Sequence, residues 1–133
     1  MPEQACPCGK LSASKKPLTF AACCARYLLD FDNTPAPGAE SLMRSRYSAF
    51  VLGRSDYLMA TWHASTRPAE IAQDDTTKWL GLEVRSHVVI DADHAEVEFV
   101  ARYRAAGCGA RIHELSRFVR EVGRWYYLNG DSR

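Results

Sequence analysis

Apolar side chains recur at helical spacing in the part of the chain that follows residue 38. The spacing is that of a single buried helix face, and it predicts a helix over residues 39–53 that ends at Gly53. A second, short helix is predicted over residues 56–62, and a third over residues 68–76, which begins with a proline where helices tolerate one. The apolar positions of the first helix are Met43, Tyr47, Phe50 and Val51.

Beyond Lys78 apolar and polar side chains alternate, as they do along a strand with one buried face. The alternation predicts a meander of four strands joined by short turns. Helices followed by a meander are typical of the α+β class, in which one face of the sheet packs on the helices. Long twisted strands can curl and leave a pocket there. The strands are predicted at 80–90, 95–103, 111–121 and 124–129, with Leu80, Leu82, Val84, Val88 and Ile90 on one face of the first.

The chain divides into three zones. Residues 1–29 hold the cysteines and little periodic apolar pattern, and residues 30–38 are a predicted linker because two prolines and a glycine prevent a continuous helix. Residues 39–133 carry the periodic structure. A length of 133 residues suits one domain with a small appendage. We therefore expect residues 39–133 to form their own core, and any metal in residues 1–29 to matter locally.

Composition narrows the class of protein only slightly. The chain is 47% hydrophobic and 25% charged, with a formal net charge of +1, so no overall field favours nucleic acid or membrane. No apolar run approaches the roughly 20 residues of a membrane span. The first residues lack a charged start followed by an apolar stretch, so a cytoplasmic, reducing setting is expected.

The cysteines indicate a chemistry. Four of the five lie within the first 24 residues, as Cys6 and Cys8 around a proline and as the adjacent pair Cys23 and Cys24. Two close thiols, a loop and two more thiols can surround a tetrahedral soft metal, for which Zn²⁺ is the leading candidate. Four protein ligands leave no open position, so such a site is structural rather than catalytic. Free thiols or a redox pair that forms disulfides remain the alternative.

Several stretches resemble known families. The run Cys-Pro-Cys-Gly followed by Cys-Cys resembles the SEC-C motif, the zinc hook at the end of the preprotein translocase motor SecA. The loop between the thiol pairs, residues 9–22, is longer than is usual in that motif. Other stretches resemble the YchJ family of bacterial proteins. They are residues 42–50, 61–63, 79–82, 113–118 and 125–127.

The YchJ resemblance implies a fold. Residues 1–29 are then a small cysteine-rich, SEC-C-like zinc segment. Residues 39–133 are then a cone-shaped domain of the nuclear-transport-factor-2-like (NTF2-like, or cystatin-like) type. In such a domain helices pack on a curved antiparallel sheet.

Polar residues are expected inside the pocket. Glu114 and Ser116 share a side of the predicted strand 111–121 with apolar Ile112 and Phe118, which indicates that this side is covered. A buried carboxylate needs a partner, and we expect Arg46 of the first helix to pair with Glu114. The pair is either a structural ion pair or the polar floor of a ligand pocket. The candidate cavity residues are Arg44, Arg46, Tyr47, Trp62, His63, Glu114 and Ser116.

Two function classes follow. In the favoured one, the protein is a binding or adaptor module whose zinc segment recognises a macromolecular partner. The basic side chains around the cysteines suit an acidic protein surface or a nucleic-acid backbone. In the alternative, a small enzyme or small-molecule binder uses the cavity, with His63 as a candidate general base. No nucleophile comes with a recognisable base, which favours binding over catalysis without deciding whether the protein is an enzyme. The sequence indicates no oligomeric state. The basic side chains are Lys10, Lys15, Lys16 and Arg26.

Overall fold

A computed structural model describes residues 4–71 and 76–133 of the chain. Three helices precede four strands, which form one antiparallel sheet in the order β1-β2-β3-β4. Among the described residues, no helix has the length and apolar character needed to cross a lipid bilayer. The elements are α1 (Ala25–Leu28), α2 (Ala39–Leu52), α3 (Ser55–Ala60), β1 (Lys78–Asp91), β2 (His94–Ala105), β3 (Cys108–Glu121) and β4 (Arg124–Ser132).

The sheet is a meander whose strands carry bulges. The β2–β3 pairing is regular from His94↔Val119 to Ala105↔Cys108, whereas β1 shifts register against β2 at three points. One shift lies between Val84 and Ser86, where the alternation in the sequence also breaks. A bulge bends its strand and increases the local twist. The sheet therefore curves around the helices, and the predicted four-stranded α+β architecture is confirmed.

The helices follow the prediction in part. Helix α2 ends at Gly53, which adopts φ 71° and donates its N–H to the carbonyls of the last turn, as expected. Helix α3 stops at Ala60 instead of residue 62, because the backbone of the next residues bonds to β4: Tyr127 N–H donates to Thr61 O at 2.8 Å. The predicted third helix is wrong over residues 68–71, which are not helical, and residues 72–75 lie outside the described part of the chain.

The far end of β1 is more exposed than the alternation predicted. Val88 and Ile90 are 51% and 56% exposed, and Leu80 is also exposed. The bulge between Val84 and Ser86 interrupts the alternation. Helix α2 reaches β1 near its N-terminal end, where Glu40 lies 3.8 Å from His87 Nδ1. The expectation of one continuous buried face along β1 is therefore wrong at Leu80 and beyond Val84.

The N-terminal segment, residues 4–29, packs into the same core as α2 and the sheet. The four clustered cysteines are buried together with residues of α2, α3, β2 and β3. Three arginines from later in the chain also donate to backbone carbonyls of residues 8–31. Because these bonds bridge the first residues and the rest of the fold, the segment is attached on several sides. The bonds are Arg44 to Cys8 O at 3.0 Å, Arg54 to Leu28 O at 3.1 Å and Arg124 to Phe31 O at 2.8 Å.

The buried tyrosine of α3 predicts a loss of stability at alkaline pH. Tyr57 is 3% exposed, its hydroxyl lies 2.8 Å from Ser45 Oγ, and burial raises its pKa from 10.0 to about 12. The folded state therefore favours the protonated phenol. Its contribution is complete below pH 10.0 and is lost as the pH rises towards about 12, about 2 kcal/mol in all.

We therefore expect the free energy of unfolding, measured by urea titration at stepped pH, to fall over this range. Tyr57→Phe should reduce that slope while leaving Ser45 bonded to Leu42 O. An unchanged slope in the variant would contradict this assignment.

Candidate metal centre and the neighbouring cavity

A hairpin brings the two thiol pairs together. Residues 4–20 fold back on themselves through two antiparallel bridges, Ala5↔Thr19 and Leu11↔Pro17. Cys6 N–H donates to Leu18 O at 2.9 Å. At the tip of the hairpin Lys15 takes a left-handed φ of 61° and closes the turn. The long loop between the thiol pairs therefore forms a hairpin, and its length does not hold the two pairs apart.

Each thiol pair sits in its own turn. Gly9 follows Cys8 at φ 73° and donates its N–H to Cys6 O at 3.1 Å, which closes the first turn. In the second turn Cys23 N–H donates to Phe20 O at 3.0 Å, and Cys24 caps α1. The adjacent sulfurs of Cys23 and Cys24 are thereby held 4.0 Å apart.

The four sulfurs form a compact cluster. The Sγ atoms of Cys6, Cys8, Cys23 and Cys24, the cysteine cluster, all lie within 4.8 Å of one another, and all four residues are buried. Cys8 Sγ and Cys23 Sγ lie 3.6 Å apart. A tetrahedron with metal–sulfur bonds of about 2.3 Å has sulfur–sulfur edges of about 3.8 Å. All four are free thiols in this structure, and their spacing fits a tetrahedral metal ion.

The electrostatics of the cysteine cluster also favour a cation. Hydrogen bonds from Cys24 and Cys8 lower the pKa of Cys6 far below its ordinary range. Burial, reinforced by the charge of Cys8, raises the pKa of Cys23 to about 12, and the hydrogen bond to Cys6 raises the pKa of Cys24 well above its usual value. The first thiolate to form is thus stabilised by thiols that stay protonated. A divalent ion at the centre offsets the repulsion between four thiolates.

Arg44 lies beside the cysteine cluster and not in the cavity, where the sequence had placed it. It donates to Cys8 O at 3.0 Å and to Glu40 Oε2 at 2.9 Å. Arg46 is only two positions further along α2, and residues two apart on a helix point about 200° away from each other. The two arginines therefore lie on opposite sides of α2, and only Arg46 faces the sheet.

The cavity lies between α2 and the sheet and has a volume of about 190 Å³. Five of the seven predicted cavity residues line it: Arg46, Tyr47, Trp62, Glu114 and Ser116. The rest of the wall is almost entirely apolar. The remaining lining residues are Met43, Phe50, Trp79, Phe99, Ala101, Ile112 and Tyr127.

The predicted ion pair between Arg46 and Glu114 does not form. Nη1 of Arg46 donates to Leu58 O at 2.8 Å and to Thr61 Oγ1 at 2.7 Å, so α3 holds this end of the guanidinium. Oε2 of Glu114 accepts hydrogen bonds from Ser116 Oγ and, at 3.3 Å, from the Tyr127 hydroxyl. Backbone and hydroxyl partners thus take the place of the direct pair, and both charges border the cavity.

His63 lies in a separate cleft with Glu121. Its Nε2 lies 2.8 Å from Glu121 Oε2, while Nδ1 lies 2.7 Å from Ser65 Oγ and accepts from Ser65 N–H at 3.1 Å. Because Nδ1 is an acceptor, the neutral ring carries its proton on Nε2. Residues 61–63 run beside β4, and successive side chains of an extended segment point to opposite sides. Trp62 therefore lines the cavity and also borders the cleft, whereas His63 lines only the cleft.

Sequence reasoning missed two residues that shape the cavity. Tyr127 was not among the predicted cavity residues, but its ring lies 4.7 Å from the Arg46 guanidinium carbon and its hydroxyl reaches Glu114. The predicted pairing of adjacent strands was the available signal, since Tyr127 lies opposite Phe118. Gly130 lies under the Glu114 side chain, and a Cβ there would come within 2.5 Å of its carboxyl carbon. No periodic pattern marks such a close approach.

Similar proteins cover the chain almost end to end. A protein from Polaromonas sp. strain JS666 described as "UPF0225 protein" is 66% identical over 100% of this chain and 96% of its own length. A protein of the same description from Polaromonas naphthalenivorans is 62% identical over 95% of this chain and 96% of its own length.

Two solved structures share the fold. The crystal structure of a SEC-C motif containing protein from Psychrobacter arcticus aligns with a TM-score of 0.79 at 34% identity, over 95% of this chain and 81% of that one. The solution structure of a SEC-C motif containing protein from Rhodopseudomonas palustris aligns with a TM-score of 0.80 at 31% identity, over 98% and 99%. The sequence profile described as "YchJ, middle NTF2-like domain" matches residues 38–130. The expected NTF2-like fold is thereby confirmed, and the chain belongs to the YchJ family.

Proposed function

We propose that the cysteine cluster holds one zinc ion, and that the segment it organises docks on an acidic segment of another protein. The observation that carries the proposal is the approach of four buried sulfurs to within 4.8 Å of one another. An all-thiolate, tetrahedral donor set suits zinc or an iron–sulfur centre. A single closed site of four cysteines, without a bridging arrangement for several metal atoms, favours zinc.

The zinc has a structural role in this proposal. When bound, it supplies folding energy and fixes the geometry of its ligands, since four protein ligands leave no position for a reacting water. The chain's own residues complete the site: Arg44 holds the Cys8 carbonyl, and Ser48 Oγ lies 3.6 Å from Cys6 Sγ. These contacts tie the docking segment to α2 in one orientation.

The surface around the cysteine cluster favours an acidic partner. Residues 4–29 contain four basic residues and no acidic one, although the whole chain has a net charge of only +1. All four basic side chains are exposed, and two of them, Lys15 and Lys16, stand at the tip of the hairpin beside exposed Leu11. The aromatic rings of this segment, Phe20 and Tyr27, are not exposed, so it offers no platform for stacking bases. A carboxylate-rich peptide therefore fits better than a nucleic acid.

Charge reversal at the hairpin tip tests the docking proposal. We expect the full-length Lys15→Glu/Lys16→Glu variant to recover at least tenfold less partner from a native extract than the wild type, with an unchanged melting temperature. The matched control is Arg104→Glu/Arg111→Glu, which reverses two exposed charges near the β2–β3 turn and should leave recovery unchanged. Equal recovery by wild type and Lys15→Glu/Lys16→Glu would overturn the proposal. Loss of recovery on nuclease treatment would replace the protein partner by a nucleic acid.

A second candidate function, the binding of a small molecule in the cavity, is supported by a different observation. Arg46 is 4% exposed and charged, it lines the cavity, and no carboxylate pairs with it among the described residues. Buried guanidinium groups normally have an anionic partner or a full set of acceptors. Part of the hydrogen-bonding capacity of Arg46 is therefore available to a molecule in the cavity.

A further inference from the structure

The size and walls of the cavity limit what it can hold. A volume of about 190 Å³ corresponds to roughly six waters of bulk liquid. That space suits a single ring with one small substituent. The walls are aromatic and aliphatic, so the ring is the part of a ligand that they favour. The aromatic and aliphatic wall residues include Met43, Phe50, Trp79, Phe99 and Ile112.

One end of the cavity presents unused hydrogen-bond donors. Within the described part of the chain Arg46 donates only from Nη1, to Leu58 O and Thr61 Oγ1. The guanidinium is held between two aromatic rings, with its carbon 5.2 Å from the Trp62 centroid and 4.7 Å from that of Tyr127. The N–H groups of Nε and Nη2 are thus fixed in place and remain available for an acceptor in the cavity that Arg46 lines.

The same cavity presents an unused acceptor. The hydroxyls of Ser116 and Tyr127 both donate to Oε2 of Glu114. Oε1 accepts from no side chain or backbone group in residues 4–71 and 76–133. Glu114 borders the same space as Arg46, and its charge acts on the Arg46 guanidinium. A bound molecule can therefore donate to Oε1 of Glu114 and, through a neighbouring acceptor, receive a hydrogen bond from Arg46.

The balance of charge selects the head group. Arg46 and Glu114 contribute one positive and one negative charge to a site with otherwise uncharged walls. An anionic or cationic ligand would leave one net charge without compensation between mostly apolar walls, which is unfavourable. A neutral group with one acceptor and one N–H satisfies both residues at once. We propose that the cavity binds a small cyclic molecule bearing an uncharged, amide-like donor–acceptor group; this rests on the second candidate function above.

Gly130 positions the acceptor in this site. It lies opposite Ser116 in the β3–β4 pairing, and a Cβ at this position would come within 2.3 Å of Glu114 Oε2. Alanine at residue 130 would therefore push the carboxylate out of its place while leaving Arg46 untouched. Gly130 does not contact the ligand in this proposal and acts only through the position of the Glu114 side chain. Its absence of a side chain is the reason Glu114 can lie flat across β4.

The test uses four ring compounds that differ in the head group: benzamide, benzoate, benzylammonium and toluene. Binding to the full-length protein is measured by calorimetric titration at neutral pH. We expect benzamide to bind at least tenfold more tightly than each of the other three. In Glu114→Gln the positive charge of Arg46 is no longer balanced, so the preference should change to benzoate. Gly130→Ala should also weaken benzamide binding, whereas Gly109→Ala, whose Cβ would meet nothing within 4 Å, should not.

The possible outcomes separate the neutral head group from the more general claim that the cavity binds a small molecule. If benzoate or benzylammonium binds the wild type best, the cavity is a ligand site but the neutral head group is wrong. If none of the four compounds binds, both this inference and the second candidate function are overturned, while the metal centre is unaffected. An unchanged preference in Glu114→Gln would also overturn the inference, because the selection would then not depend on that carboxylate.

Discussion

Replacement of Cys8 by serine is expected to lower the melting temperature of the whole protein by about 10 °C or more. Cys8 has no exposed surface, and its carbonyl is bonded to Arg44 of α2. A serine cannot replace the thiolate as a ligand for a soft metal, and loss of a structural metal removes free energy of folding directly. We expect a loss of about 3 kcal/mol or more.

The effect should reach the whole fold, since the cysteine cluster belongs to the same buried core as α2 and β2. Calorimetry should show one transition at a lower temperature, and a chelator should produce the same shift in the wild type. Cys108→Ser is the matched control: Cys108 is exposed at the start of β3 and should tolerate serine without a shift. A melting transition at the wild-type temperature, preceded by loosening of residues 4–29 alone, would contradict this account. That is the outcome expected from the sequence, where residues 1–29 show little apolar pattern.

The second large effect is expected at Arg46. Arg46→Ala should lower the free energy of unfolding by about 3 kcal/mol, because the Leu58 carbonyl loses its charged donor and a void opens between Trp62 and Tyr127. Burial lowers the pKa of Arg46 to about 10, because the guanidinium loses solvation when the protein folds. The group nevertheless stays protonated at neutral pH.

Arg46→Lys separates charge from shape. An ammonium group can still donate to Leu58 O or Thr61 Oγ1, but it lacks the planar face that packs against both rings, so about half of the loss should remain. Urea titration measures both variants. Arg104→Ala, at an exposed position, should change stability by less than about 0.5 kcal/mol. If Arg46→Ala is as mild as Arg104→Ala, Arg46 does not hold the cavity wall as described.

The regular part of the fold could be predicted from periodicity. The alternation after Lys78 and the helical spacing over α2 reflect burial of one face, and both elements appear close to their predicted bounds. The exposed end of β1 shows the limit of the same signal: alternation indicates a face but not whether a helix covers it. Helix α1 and the hairpin before it were not predicted, because turns and packing, rather than a repeat of apolar residues, determine them.

The residues of the candidate sites were likewise predicted only in part. The spacing of the cysteines indicated a shared cluster, and the structure brings their sulfurs together. Within the cavity, Glu114 and Ser116 were placed by strand alternation, whereas Arg44 and His63 were misplaced. Helical rotation separates Arg44 from Arg46, and strand alternation separates His63 from Trp62. Both separations could have been deduced from the sequence. The bonds from α3 that hold Arg46 could not, because they depend on how two helices pack.

Metal content of the full-length protein tests the central claim most directly. Protein produced in zinc-replete medium and analysed for metals should contain one zinc per chain, and only exposed Cys108 should react rapidly with a thiol reagent before unfolding. Cys8→Ser should lose most of the zinc, whereas Cys108→Ser should keep all of it. A metal content near zero, with the four cysteines of the cluster recovered as unligated thiols, would contradict the account.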